Sequence, residues 1–175
     1  MKNDILTFAV ECDVCQHKGD TIKAPGTLQP LPIPTSIWME VSMDFITGLP
    51  KLGNKSVIMV VVDRLSKYAH FCALPHPFTP TLVAQSFMDQ IFKLHGMPTS
   101  IMSNRDLIFT SNFWQELFKI QGTQLKLSTS YHPQTDGQTE AVNKCLETYL
   151  RCFTSEKQHL WVQWLPLAEW WYNTN

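Results

Sequence analysis

The 175-residue chain has no surplus of charge: 14 Lys and Arg stand against 15 Asp and Glu, for a net charge of −1. An overall basic signal for nucleic acid is therefore absent, and any basic patch has to be local. Long apolar runs are missing too, and none approaches the roughly 20 residues of a membrane span. Ile5–Val10 is too short, and too closely bounded by Asp4 and Glu11, to be the apolar segment of a signal peptide. A soluble intracellular protein is expected. The five cysteines, Cys12, Cys15, Cys72, Cys145 and Cys152, are odd in number and make no secreted-type disulfide framework. Cys72 and Cys145 read as core thiols.

What is present suits a sizeable core. Hydrophobic residues make up 44% of the chain and charged ones 17%, with six Trp and ten Phe, and the length fits one domain or one domain plus a fragment. Near the start, Cys12-Asp13-Val14-Cys15 supplies half of a tetrahedral zinc site, and His17 follows too closely to complete it. Residues 24 to 34, Ala-Pro-Gly-Thr-Leu-Gln-Pro-Leu-Pro-Ile-Pro, form an extended, proline-punctuated linker that marks a boundary.

Beyond it the segment from Trp38 to Phe45 alternates like a strand, with Trp38, Glu40, Ser42 and Asp44 on one face and Met39, Val41, Met43 and Phe45 on the other. A carboxylate at Asp44 is paired, ligating a cation, or exposed. Ser56–Val62 is a β-branched run fit for a buried central strand. Asp63-Arg64 turns the chain, and Tyr68–Leu74 completes a hairpin. Thr81–Leu94 has helical spacing at Val83, Phe87, Ile91 and Leu94, closed by His95-Gly96 and Pro98. Ser100–Ser103 is short and strand-like. Thr110 or Ser111 caps a helix carrying Phe113, Leu117, Phe118 and Ile120, and Gln124–Leu127 gives a fifth strand. The last segment, with Trp161, Trp164, Leu165, Ala168 and Trp171, is a core helix. Three meandering strands followed by strands alternating with helices predict an α/β mixed sheet covered by helices.

The polar loop from Ser128 to Asp136 feeds a further helix. Thr135 and Gln138 have capping-box spacing, and Asp136 adds negative charge near the helix N-terminus. Val142, Cys145, Leu146, Tyr149, Leu150 and Phe153 then recur as an inward stripe, with Glu140, Asn143, Lys144, Glu147 and Arg151 on the other face. Taken alone, Glu140 reads as a solvated glutamate.

Met43-Asp44-Phe45-Ile46, the run Val62-Asp63-Arg64-Leu65-Ser66-Lys67-Tyr68-Ala69-His70-Phe71, the tetrapeptide Ser103-Asn104-Arg105-Asp106 and Tyr131-His132-Pro133-Gln134-Thr135-Asp136-Gly137-Gln138-Thr139-Glu140 together resemble the integrase core of gypsy-type LTR retrotransposons. That core is one of the retroviral-type integrases and DDE transposases. The likeness covers residues 8 to 175, and 35 residues separate Asn104 from Glu140, the interval typical of the family. The resemblance implies an RNase H-like five-stranded mixed sheet with helices on both faces, the first three strands antiparallel and the fourth and fifth parallel to the first. It implies three divisions: residues 1–23 as the remnant of an N-terminal zinc-binding module, 24–37 as the linker, and 38–175 as the core.

It further implies DNA integration by metal-dependent strand transfer. The catalytic positions fall on Asp44, Asn104 and Glu140, with Asp44 and Glu140 as ligands of Mg²⁺ or Mn²⁺ and all three meeting at the sheet edge. Gln134, Gln138, Asn143 and Lys144 fall where the family meets nucleic acid. The implied partners are retroelement-end and target DNA and a second copy of the core, with no membrane. The implied location is nuclear when the element is active. Asn104 departs from the family's second Asp: it offers a carbonyl oxygen but no charge, so impaired catalysis is expected. Asp106, two residues on, reads as a turn residue. The chain is expected to be a fragment, a domesticated remnant, or a piece cut from a longer polyprotein.

Two other functions fit part of this pattern. One is a non-catalytic DNA-binding or dimerisation remnant; the other is a glycosidase using Asp44 and Glu140 as paired carboxylates. Chelator separates them, since strand transfer requires metal, a binding module tolerates its loss and a glycosidase ignores it. Two thiolates alone lack the ligands and geometry of tight structural zinc. Dialysed protein should therefore hold far less than one zinc per chain by atomic absorption, and stoichiometric zinc would contradict this unless two chains share an ion.

Overall fold

Apolar and β-branched runs build one five-stranded sheet. The computed structural model describes residues 33–103, 111, 112, 114, 115, 118, 122–127, 137–154 and 157–174, together with Thr7 and Glu11. The strands are β1 (Glu40–Ile46), β2 (Lys55–Asp63), β3 (Ala69–Pro75), β4 (Ser100–Ser103) and β5 (Gln124–Leu127), in the order β3-β2-β1-β4-β5. β1, β2 and β3 pair antiparallel, while β4 runs parallel to β1 and β5 parallel to β4. The hairpin expected across residues 56–73 is therefore present, as is the mixed topology. The Cys12–Cys15 pair, most of the linker and the loop before Gly137 lie outside the described residues.

Both faces of the sheet are covered. On one, Val41, Met43, Val57, Met59 and Val61 pack against Val83, Phe87 and Ile91 and against Trp114 and Phe118. On the other, Ile58, Val60 and Val62 meet Val142, Leu146 and Leu150 of α2 (Gly137–Thr154) and Trp161 and Leu165 of α3 (Trp161–Thr174). Val57–Val62 is entirely buried because consecutive residues of a strand face opposite layers, and both layers here are apolar.

The helix α1 (Pro80–Phe87) starts where Thr79 accepts a hydrogen bond from the Leu82 N–H (3.3 Å) and Pro80 supplies a ready-set first turn. It continues through a π turn, Met88–Phe92, into a last α turn, Lys93–His95. The wider turn shifts the helical phase. Leu94, expected on the inner stripe, is 59% exposed, and His95 comes inward instead. In the segment around residues 112–118 the described part of the inner stripe is Trp114 and Phe118, their rings 4.7 Å apart. Phe153, also expected inward on α2, is half exposed and stacks on Tyr149 at 4.3 Å.

β1 begins two residues later than the alternation predicts. Trp38 has φ 59°, which breaks the strand period and turns its indole to the α1 side with Val41 and Met43, opposite to the face expected from Glu40, Ser42 and Asp44. Its N–H donates to Asp63 Oδ1 (2.9 Å). Asp63 is wholly buried and also accepts from the Ser66 N–H (2.8 Å) and Ser66 Oγ (2.5 Å), so one carboxylate closes the β2–β3 turn and fixes the entry to β1. Beside it Arg64 pairs with Glu40.

The ring of Trp38 stacks on His95 at 3.7 Å and 7°. His95 Nε2 faces His70 Nε2 at 2.9 Å, and His70 Nδ1 faces Glu169 Oε1 at 2.9 Å. The His70 and His95 ring centroids are 5.2 Å apart. That distance is about what two rings pointing head-on at 2.9 Å produce, so the pair shares a proton along a near-straight N–H···N line. The carboxylate of Glu169 selects the His70 tautomer with hydrogen on Nδ1, which leaves its Nε2 to accept from His95. Glu169 Oε2 also accepts from the Phe71 N–H (2.8 Å), and Asn173 brackets Ala69 by accepting from its N–H (2.8 Å) and donating to its C=O (2.9 Å). Side chains of α3 thus occupy the first part of the free edge of β3.

Two outcomes follow from these contacts. Asp63→Ala strands the Trp38 and Ser66 donors and should cost about 2–4 kcal/mol, read as a lower urea midpoint at unchanged m-value; a loss under about 0.5 kcal/mol would deny Asp63 this role. Burial, with His70 beside it, holds the His95 imidazole below its ordinary 6.5. The unfolded chain then takes up more protons than the folded one as pH falls, so stability present above 6.5 declines on acidification. His95→Gln should flatten the urea-midpoint curve between about pH 7 and pH 5, whereas an unchanged slope would place that proton uptake elsewhere.

Candidate active site

The site grows from the central strand. Asp44 lies near the C-terminal end of β1, which β2 and β4 flank, so it stands in mid-sheet and not at the expected edge; the edges are β3 and β5. Alternation puts Ser42, Asp44 and Ile46 on the face that meets α2. The parallel register with β4 ends at the pair Met43 and Ser103, the residues immediately before Asp44 and Asn104 in the sequence. Asn104 and Asp106 themselves lie outside the described residues, as does Gln134.

α2 brings its first turns against this strand. Thr139, Val142, Leu146, Tyr149 and Leu150 are buried, while Glu140, Lys144, Glu147 and Arg151 are exposed. Asn143 departs from the outward face expected of it: it is half buried, and its Nδ2 donates to Asp44 Oδ2 at 2.8 Å. That contact fixes the amide orientation, since a flipped side chain would set oxygen against carboxylate. Glu140 is one turn before Asn143, and residues at that spacing are neighbours on a helix, with Cβ atoms about 5–6 Å apart. Asp44 and Glu140 are therefore both neighbours of one amide. Lys144 follows Glu140 by four residues on the exposed face. Gln138 belongs to the first turn of α2.

The structure thus joins Asp44 to Asn143, with Glu140 one turn earlier and Lys144 next in sequence on α2. Carboxylate and amide oxygens form a hard donor set suited to Mg²⁺ or Mn²⁺. Among the described residues, no three His, Cys, Asp or Glu side chains are grouped closely enough to hold a metal by themselves. Beside Asp44 the Asn143 Oδ1 is buried without a hydrogen-bond partner among the described residues, an acceptor for which a cation or its waters are fitting occupants.

Sequence reasoning missed the bond between β1 and α2 and the hydroxyls behind it. Ser42 Oγ and Thr139 Oγ1 are also buried without partners among the described residues. Their signal was present as spacing: Ser42 is two residues from Asp44 on a strand, and Thr139 four from Asn143 on a helix. Burial elsewhere acts on cysteine, pushing the Cys72 thiol up to about 12, with Glu169 adding to the effect.

No family model matches the chain. It is 36% identical over 174 residues to the Transposon Tf2-3 polyprotein of Schizosaccharomyces pombe, an alignment covering 99% of this chain and 13% of the polyprotein. The Tf2-4 polyprotein of the same yeast matches to the same extent. The chain therefore spans 13% of the length of the curated relatives it matches. Among solved structures it resembles the simian T-cell lymphotropic virus intasome in complex with PP2A regulatory subunit B56 gamma, with TM-score 0.67 and 20% identity over 97% of this chain and 60% of that one. It also resembles the HTLV-2 integrase catalytic core domain in complex with magnesium, in its dimeric form, with TM-score 0.62 and 18% identity over 78% of this chain and 86% of that one. The fold is accordingly the RNase H-like fold of integrase catalytic cores.

Proposed function

The chain is a relative of the gypsy-type retrotransposon polyproteins with the fold of a retroviral integrase catalytic core, and on that premise we propose that it is the core segment of an enzyme that joins retroelement DNA ends to target DNA. The observation that carries this reading is the Asn143 bridge, which ties Asp44 of β1 to the helix turn bearing Glu140. A half-buried carboxylate held by the amide of a residue 99 positions away, one helical turn from a second carboxylate, supports a shared task for Asp44 and Glu140. The core of HTLV-2 integrase, a fold neighbour, was solved with magnesium, and the oxygen donors here suit the same kind of ion.

In this reading Asp44 and Glu140 hold divalent cations, and Asn143 sets the orientation of the Asp44 carboxylate. Bound cations would supply charge neutralisation at the attacking and leaving oxygens of the phosphoryl group. Lys144, Gln134 and Gln138 contact the DNA. A second copy of the core and the two DNAs are the partners, and the nucleus is where the chain would meet them. Among the described residues, no helix is long and apolar enough to cross a membrane.

Asn104 weakens the chemistry. Removing one of three negative charges near two dications costs several kcal/mol, a fall of about a thousandfold or more in rate. Asn and Asp have nearly the same shape, so the geometry survives what the charge does not. Asn104→Asp should bind Mn²⁺ at least about tenfold more tightly by calorimetry, and raise strand transfer or disintegration by about a hundredfold or more. Equal activity of the chain and the variant would defeat this account and make Asp106 the replacement ligand. DNA binding that persists in chelator, with neither protein active, would favour the non-catalytic module.

A further inference from the structure

Among the described residues, three buried oxygen atoms of β1 and α2 have no hydrogen-bond partner: Ser42 Oγ, Thr139 Oγ1 and Asn143 Oδ1. Thr139 is wholly buried and Ser42 2% exposed, so bulk water does not serve them. A buried polar group without a partner is costly, and several together in one place call for an explanation.

Their placement gives one. Asn143 meets Asp44, and further along α2 the residues Glu147, Leu150 and Arg151 line a groove with Ile46 and Thr47. The helix and the strand therefore advance in the same sense. One helical turn back from Asn143 is Thr139, a step of about 6 Å. Two strand residues back from Asp44 is Ser42, a step of about 6.6 Å on the same face. The near-equal steps put Ser42 and Thr139 on the same facing surfaces as Asp44 and Asn143, one step further back, without a hydrogen bond between the two hydroxyls. The result is a polar seam in an otherwise apolar interface, opening at the Asp44 carboxylate.

We infer that Thr139 and Ser42 are positioning residues for the cation site, their hydroxyls with Asn143 Oδ1 receiving and orienting the water molecules that a divalent ion keeps when Asp44 binds it. Mg²⁺ gives up its waters reluctantly and is held through one or two carboxylates with the rest of its shell aqueous. Such waters are strong donors and need acceptors where bulk solvent is excluded. A seam of acceptors is of most use where one acidic ligand is replaced by Asn104, because outer-shell hydrogen bonds then carry a larger share of the affinity. This inference rests on the assignment of Asp44 as a cation ligand.

An isosteric change separates it from a packing defect. Thr139→Val removes an orphaned oxygen and keeps the shape, so the metal-free protein should melt at the same temperature or higher. Its Mn²⁺ affinity, measured by calorimetry in the chain and in the Asn104→Asp background, should fall by about three- to tenfold. Thr139→Ser keeps the oxygen and should stay within about twofold of the parent, and Ser42→Ala should weaken binding in the same direction as Thr139→Val. Unchanged Mn²⁺ affinity in Thr139→Val would overturn the inference while leaving Asp44 as a ligand. Failure of both parent proteins to bind Mn²⁺ would overturn the cation reading itself and this inference with it.

Discussion

The sharing of β1 between two packed layers is the constraint on which the rest of the molecule depends. One face of the strand gives Val41 and Met43 to the cluster under α1, and the other gives Ile46 to the cluster under α2. A strand gripped from both sides has no freedom to slide, since a one-residue slip would exchange its faces and bury Ser42 and Asp44 in the wrong layer. Asp63 fixes its start by holding the Trp38 N–H, and pairing with β2 and β4 fixes its sides. Asp44 inherits its position from that frame. A carboxylate could not be kept half buried beside a helix without such support, because desolvation would otherwise turn it outward.

Under the proposed function, charge and shape would part company at Asn104. Packing responds to volume, and Asn in place of Asp changes volume hardly at all. Binding of dications responds to charge, which would fall by a full unit, so the fold could persist where the chemistry is weakened. The orphaned atoms around Asp44 carry a related message: Ser42, Thr139 and Asn143 keep oxygens in a layer where alanine or valine would suit the apolar fold better.

Much of the sheet was legible in the sequence because its signals are local. The β-branched run to Val62, the turn at Asp63 and Arg64, and the strand from Ala69 each have their own periodicity or turn chemistry. The helix from Gly137 was legible through its stripe, while Glu140 and Asp44 are singled out by the resemblance alone. What was missed depended on backbone events with no simple residue signal. A positive φ at Trp38 reversed the face of that indole, and a π turn after Phe87 replaced Leu94 by His95 on the inner side. Asn143 was assigned outward because a polar residue on a helix usually faces water. Its partner lies 99 positions earlier in the chain, a distance that periodicity cannot see.

The contacts that Glu169 and Asn173 make with β3 have a consequence for assembly. A strand at the rim of a sheet ordinarily offers a row of vacant backbone groups, an invitation to any extended segment. Here a helix answers that invitation with carboxylate and amide groups, occupying the N–H of Ala69 and Phe71 and the C=O of Ala69. Growth of the sheet past the first part of β3 is opposed for as long as α3 remains docked, because those backbone groups already have partners.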